Sequence, residues 1–397
     1  MVFLITILGD NMNNHDLTLS GTSAIRRRSV LATLAAAVAM PALVQAQPQK
    51  PDLIIGQSAP TSGVMASSME RVFAGQQMAF DEVNKKGGIG GRMIKLEILD
   101  DGFDPKRSLE NTRILVEQRN VVALFGSVGT AQTAAVLPYI AEKHVPLIAV
   151  YSGSPALRVA HNPYLFTTQA SYADELVKMT RNLVAIQNSR IAIVYQDNAF
   201  GKLLQPLAEK IITAEGGTVV GSRPLADNGS DATAVVQGLA ALQPQAVIML
   251  VAGPAVIAYI RANRTGLGVP VYALSLSLNA VILKALGDDA RGLAVSRATP
   301  YPWNGITPLP KAFAAQMQRI KKEIDYDHYL GYINARILIE GLRKAGNNIT
   351  AESLTQGMEK LTNLDLGGFR LSYGPNKHHG SNFVEITIVG PKGNFIR

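Results

Sequence analysis

Leu53-Ile54-Ile55-Gly56-Gln57 opens the segment that decides the fold. It leads into helical apolar spacing over 71–86, a Gly87-Gly88 stop and an alternating stretch over 93–99. A short apolar run, an amphipathic run and a second short run, punctuated by glycine, read as strand, helix and strand. The cycle continues with a helix over 105–118, a strand over 121–125, a helix over 130–143 and a strand over 146–150. A second round follows, with strands over 191–195, 218–221, 246–251 and 271–274. Its helices run over 173–185, 202–214, 232–242 and 255–265. Gly216-Gly217 repeats the Gly87-Gly88 stop at the equivalent place, where a helix end needs a left-handed residue. Apolar strands alternating with amphipathic helices predict parallel sheets covered on both faces.

The fold class is therefore α/β: two doubly wound, Rossmann-like lobes, each with a sheet of about five or six strands. After about Pro300 the pattern changes to consecutive helices over 309–324, 328–344 and 351–360, and then to β-type segments over 369–373 and 383–389.

The beginning of the chain speaks to compartment. Arg26-Arg27-Arg28 precedes an apolar run over 30–44, and Val44-Gln45-Ala46 places small residues at the two positions a signal peptidase reads. These are the parts of a secretory signal peptide. The run is shorter than the ~20 residues a membrane-spanning helix needs. Met12 is an alternative start. Arg27-Arg28-Ser29-Val30-Leu31 is similar to a twin-arginine signal without its usual Phe, which leaves Sec and Tat export both open. Cleavage after Ala46 leaves 351 of the 397 residues, enough for two domains.

The formal charge of +8 falls to +7 without the leader's three arginines and two aspartates, and the remaining charges are scattered. No basic stripe interleaved with aromatics is present, so nucleic acid is not an expected partner. The chain has no cysteine, which excludes disulfides, thiolate chemistry and lipid anchoring through an N-terminal Cys. No further long apolar run follows the leader, and the mature protein is expected to be soluble.

A doubly wound sheet also suits a dehydrogenase, but no G-x-G-x-x-G follows the first strand, and the glycines over 87–91 end a helix instead of opening one. A P-loop, a G-x-S-x-G elbow and an H-E-x-x-H are all missing from the sequence. Among the histidines only His378 and His379 are adjacent, in a polar loop that reads as solvent-exposed, so neither a metal nor a cofactor is expected. Asp100 and Asp101 point to opposite faces of a strand, and one of them is expected to cap the next helix.

Several motifs carry a family resemblance. Ile55-Gly56-Gln57-Ser58-Ala59-Pro60-Thr61-Ser62-Gly63 resembles the opening strand and loop of the leucine/isoleucine/valine-binding protein family, the substrate-binding proteins of ABC transporters. So do Gly75-Gln76-Gln77-Met78-Ala79-Phe80-Asp81-Glu82-Val83-Asn84 and Gly87-Gly88-Ile89-Gly90-Gly91. Asp100-Asp101-Gly102-Phe103-Asp104-Pro105, Val145-Pro146-Leu147-Ile148, Gln196-Asp197-Asn198-Ala199-Phe200-Gly201 and Gly331-Tyr332-Ile333-Asn334-Ala335-Arg336 follow in the family's order and spacing. The likeness spans 52–397.

It implies a type I periplasmic binding protein fold, with lobes of 51–169 plus 299–380 and 170–298 plus 381–397 joined by a three-strand hinge. It also implies a small-molecule ligand between the lobes, a periplasmic location and ABC permease subunits as partners. A periplasmic sensor feeding a receptor or histidine kinase would share this fold, as would a rare enzyme built on it.

Gly126-Ser127-Val128-Gly129-Thr130 is a flexible turn at a helix start, where backbone N–H groups and a hydroxyl attract an anion. By resemblance Thr130 matches the family's carboxylate-binding Ser or Thr; a plain helix cap is the alternative. Tyr151-Ser152-Gly153-Ser154-Pro155 offers Ser152 and Ser154 as further donors, with Tyr151 as an aromatic where amino-acid binders carry a small residue. Phe200 falls where the family places an aromatic over the ligand, and Trp303 either lines the cleft mouth or packs on the surface. The amino-acid binders hold the ligand's ammonium with acids at positions that here match Tyr172 and Ser275. Neither of these carries a negative charge, which points to an acid without an α-ammonium, unless Asp197 or Asp227 supplies the charge.

Overall fold

The computed structural model describes residues 50–63 and 65–397, so the expected leader and its cleavage point lie outside the described residues. Eight elements open the chain: β1 (Leu53–Ala59), α1 (Ala66–Asn84), β2 (Ile94–Asp100), α2 (Pro105–Glu117), β3 (Ala123–Phe125), α3 (Thr130–Lys143), β4 (Leu147–Ile148) and β5 (Leu165–Phe166). Their strands form one parallel sheet in the order β2-β1-β3-β4-β5.

The second round comprises α4 (Tyr172–Ala185), β6 (Arg190–Gln196), α5 (Ala199–Ala214), β7 (Thr218–Leu225), α6 (Ala232–Ala240) and β8 (Ala246–Leu250). It continues through α7 (Ala255–Gly266), β9 (Val271–Ala273), α8 (Ala280–Leu286) and β10 (Ala294–Arg297). Its strands order as β7-β6-β8-β9-β10, the same doubly wound sequence as the first sheet. The chain then returns to the first sheet with α9 (Pro308–Arg319), α10 (Tyr326–Lys344) and α11 (Ala351–Glu359), followed by a small hairpin, β11 (Leu364–Asp365) and β12 (Arg370–Leu371). It ends in β13 (Glu385–Val389), antiparallel to β10, and β14 (Phe395–Ile396), antiparallel to β13, which extend the second sheet. The second sheet thus has seven strands, more than the sequence pattern predicts, because these late strands come from outside the βα repeat.

Burial explains the layers. Leu53, Ile55, Phe80, Phe125, Phe313 and Leu338 form the core between the first sheet and α1, α9 and α10, while Leu115, Leu124, Ile140 and Leu147 fill the face under α2 and α3. In the second sheet, Val194, Val247, Met249 and Tyr259 pack under α6 and α7, and Ile193, Leu176, Leu204 and Ile248 under α4 and α5. The chain passes between the sheets after β5, after β10 and before β13. The first and third passages run side by side: Thr167 N–H donates to the His378 carbonyl at 2.9 Å, and Gly380 N–H donates to the Thr167 carbonyl at 2.9 Å.

Several local expectations are corrected. The helix expected over 309–324 stops at Arg319, with Lys321 left-handed at φ 55°. Neither Asp100 nor Asp101 caps α2. Asp104 does, accepting from Arg107 N–H at 2.9 Å. Asp100 instead accepts from the N–H groups of Thr61 and Ser62, and Asp101 accepts from the hydroxyls of Ser58 and Ser108. His378 is not solvent-exposed: it is 2% accessible and stacked on Phe166, its ring centroid 3.9 Å away.

Candidate functional site

In open α/β sheets the crevice lies at the carboxyl ends of the strands where the strand order reverses. For the first sheet that point is between β1 and β3, and for the second between β6 and β8. The loops after β3, β4 and β6 carry most of the residues singled out from the sequence.

Thr130 is the first residue of α3, not its cap; Gly129, at φ 96°, holds that position, and a side chain there would run into Gln132 and Phe103. Freed from capping, the Thr130 hydroxyl lies 2.8 Å from the Ser152 hydroxyl. Ser152 Oγ in turn accepts from Ser154 N–H at 3.2 Å. Ser154 Oγ is buried, with 1% of the residue accessible, and has no hydrogen-bond partner among the described residues. It precedes the short turn Pro155–Leu157 without capping it.

Tyr151 joins the two loops through its backbone, donating to the Ser127 carbonyl at 2.8 Å. Its ring packs with Val128, Met69 and Val72, and its hydroxyl accepts from the buried Gln76 amide at 2.9 Å. Burial pushes that hydroxyl up to about 12.

Tyr172 begins α4, and its N–H donates to the Gly153 carbonyl at 2.8 Å. Its ring lies so close that a Cβ at Gly153 would meet a ring carbon at 2.6 Å, which explains the glycine. The Tyr172 ring meets Phe200, in the first turn of α5, edge-on at 5.8 Å. Thr130, Tyr151, Ser152, Ser154, Tyr172 and Phe200 are thus linked by direct contacts or adjacent backbone.

Ser275 stands apart from that chain of contacts. Its N–H and hydroxyl both donate to Glu175, at 2.8 and 2.9 Å. Glu175 also accepts from the Ser296 hydroxyl, is 1% accessible, and has its carboxyl raised by burial. The sequence reading missed this acid, although its spacing was legible. Tyr172, Leu176, Met179 and Leu183 form the buried stripe of α4, and Glu175 falls within it. A charged residue on an apolar stripe requires a polar partner inside. Asp197 and Asp227 do not supply a charge at this point: Asp197 is exposed and pairs with Lys202 at 2.8 Å, and Asp227 accepts from Asn198 at 2.7 Å. Trp303 packs on Tyr301, Tyr326 and Phe395, and lines a groove on the far side of α8.

The comparisons with known proteins agree with this architecture. A family model described as periplasmic binding protein matches residues 53–394. The chain belongs to the periplasmic binding protein family. Members of this family are exported substrate-binding components of ABC transporters, here of the branched-chain amino acid type, and not enzymes. A Leu/Ile/Val-binding protein of Rhizobium johnstonii is 25% identical over 366 residues, covering 87% of this chain and 93% of its own. A solved structure of a possible leucine/isoleucine/valine-binding protein from Rhodopirellula baltica is 25% identical, with a TM-score of 0.80, and covers 89% of this chain and 98% of its own. A substrate-binding periplasmic protein from Ralstonia solanacearum is 28% identical, with a TM-score of 0.79, and covers 87% and 99%. Among the described residues, no helix is long and apolar enough to cross a membrane.

Proposed function

We propose that this protein, cleaved after Ala46 and free in the periplasm, closes on a small carboxylate without an α-ammonium, such as an aromatic or short aliphatic acid, and delivers it to the permease of an ABC importer. The lobes are 51–169 plus 299–380 and 170–298 plus 381–397, hinged at the three passages between sheets. Thr130, Ser152 and Ser154 hold the carboxylate, and Tyr151, Tyr172 and Phe200 enclose the apolar part.

One observation carries this reading: a buried Ser154 hydroxyl without a partner lies beside the Thr130–Ser152 hydroxyl pair. Buried donors are rarely left unmade unless something else fills them, and an anion at a helix start suits these donors. Glu175 does not reverse the ligand class. Its two oxygens already take three donors, and it is buried beneath Ser275. Three of the roughly four acceptor sites of its carboxylate are used from within, and an ammonium reaching it would have to give up its hydration in the interior.

Calorimetry with leucine, phenylalanine, benzoate and a 2-keto acid tests the proposal. Binding of one or both acids with weak or absent amino-acid binding is expected. Tight leucine binding with no response to the acids overturns it.

A further inference from the structure

Two hydrogen bonds cross from one half of the molecule to the other beside the proposed site. Asn279 Nδ2 donates to the Ser68 hydroxyl at 3.0 Å, and Ala280 N–H donates to Asp327 Oδ2 at 2.9 Å. Ser68 lies in the first turn of α1 and Asp327 in the first turn of α10, and both helices pack on the first sheet. Asn279 caps α8 on the second sheet, its own Oδ1 accepting from Ile282 N–H at 2.9 Å. The neighbours place this bridge at the crevice. Met69, next to Ser68, packs with Val128 and Tyr151, and Asn279 is one short turn beyond Ser275. On the other side of the bridge is a groove of about 770 Å³, lined by Arg71, Arg297, Trp303, Tyr326 and Phe395.

The bridge is specific in its chemistry. Asp325, two residues before Asp327, is taken by Arg71 and by the His328 ring, both at 2.8 Å. Arg297 lies over the faces of Tyr326 and Phe395 and donates through Nη1 to the Leu278 carbonyl, while its Nε and Nη2 have no partner among the described residues. Among the described residues, the one hydrogen bond to the Asp327 carboxylate comes from Ala280, on the opposite half.

We infer that Ser68, Asn279 and Asp327 form a clasp that bars one end of the crevice and sets the length of ligand that the closed protein accepts. The inference rests on the carboxylate reading above. An acid anchored at Thr130 and one ring long leaves the clasp intact. A longer acid has to break both bonds and run into the groove beyond.

Calorimetry with benzoate and biphenyl-4-carboxylate tests this on the mature protein and its Thr130→Val, Asp327→Asn, Asp327→Ala and Ser68→Ala/Asp327→Ala variants. The parent is expected to favour benzoate. The double variant, which removes both bonds, should narrow the benzoate-to-biphenyl affinity ratio by at least about tenfold, tenfold being the effect of losing one good hydrogen bond to a charged group. Asp327→Asn keeps an acceptor oxygen for Ala280 N–H and should retain the parent ratio. An unchanged ratio in the double variant, while Thr130→Val weakens both acids, overturns the clasp and leaves the carboxylate reading standing. Equal loss of discrimination in Asp327→Asn and Asp327→Ala also overturns it.

Should neither acid bind, the 2-keto acid still decides the carboxylate reading, and the clasp is then judged in ligand-free protein. The chain has no cysteine of its own, so spin labels at Lys106→Cys and Lys210→Cys report the separation of the halves. A wider distance distribution in the double variant supports the clasp, and an unchanged one overturns it.

Discussion

At the ends of β3 and β4 the polar groups are neutral hydroxyls, and one of them, Ser154 Oγ, is buried without a partner. At the ends of β9 and β10 the polar centre is a carboxylate, Glu175, whose oxygens are already taken by Ser275 and Ser296. The first region lies at the third and fourth strands of its sheet and the second at the fourth and fifth strands of a sheet with the same strand order, and they use polarity for different ends. Groups left open at a crevice serve something that comes and goes, whereas groups satisfied from within hold the scaffold in place.

That contrast predicts opposite mutational signatures. The largest effect is expected for Glu175→Ala, which leaves the Ser275 N–H and hydroxyl unpaired in the interior and the Ser296 hydroxyl with only the Ala273 carbonyl at 3.2 Å. It should lower unfolding free energy by about 3 kcal/mol in urea titrations, and Glu175→Gln should lose less. Loss of affinity without loss of stability in Glu175→Ala would make Glu175 a ligand residue and erase the contrast. Thr130→Val should do the reverse, weakening a carboxylate ligand by about 1–3 kcal/mol in calorimetry while moving stability by less than about 0.5 kcal/mol. Ser154→Ala sharpens the comparison further. Its hydroxyl gives up no internal bond, so thermal unfolding should be unchanged while affinity falls by about 1 kcal/mol.

The smallest effect concerns pH. Burial pushes the Glu385 carboxyl up to about 7 and raises Glu175 as well, both on the second sheet. A carboxyl raised in the folded state adds stability below its unfolded value, near 4.5, and that stability is lost as pH rises to about 7. Melting temperature should therefore decline across that window, and Glu385→Gln should flatten the decline. On the first sheet Asp100 is held below its usual range, chiefly by the Ser62 hydroxyl, so its contribution has the opposite sign and disappears only in acid.

The architecture was largely legible in the sequence because both βα rounds repeat one pattern and end their first helices with paired glycines. The helix over 130–143 was read with the bounds that the structure gives it. β13 was read as a β-type segment over 383–389 but not placed beside β10, and β14, two residues long, was not read, because both lie outside the repeat and find their partners through tertiary packing alone. In the candidate site, Thr130, Ser152 and Ser154 could be singled out because small polar turn residues follow strand ends, and Tyr172 and Phe200 because their positions match the family's pattern. Glu175 could not be reached by matching positions one by one, since its carboxylate arrives from α4 at the place where a strand-end residue was sought. Reading α4 as a helical wheel would have exposed it.

The late arrival of β13 has a consequence for the chain as it is being made. β10 closes its outer edge only against β13, and Val295 meets Thr387 across 92 positions of sequence. Until β13 (Glu385–Val389) has been made and has left the ribosome, a nascent molecule carries β10 with one side unpaired. Such an edge recruits other strands and needs shielding by a chaperone. A polypeptide released before residue 385 should accordingly be found in aggregates or bound to holdases.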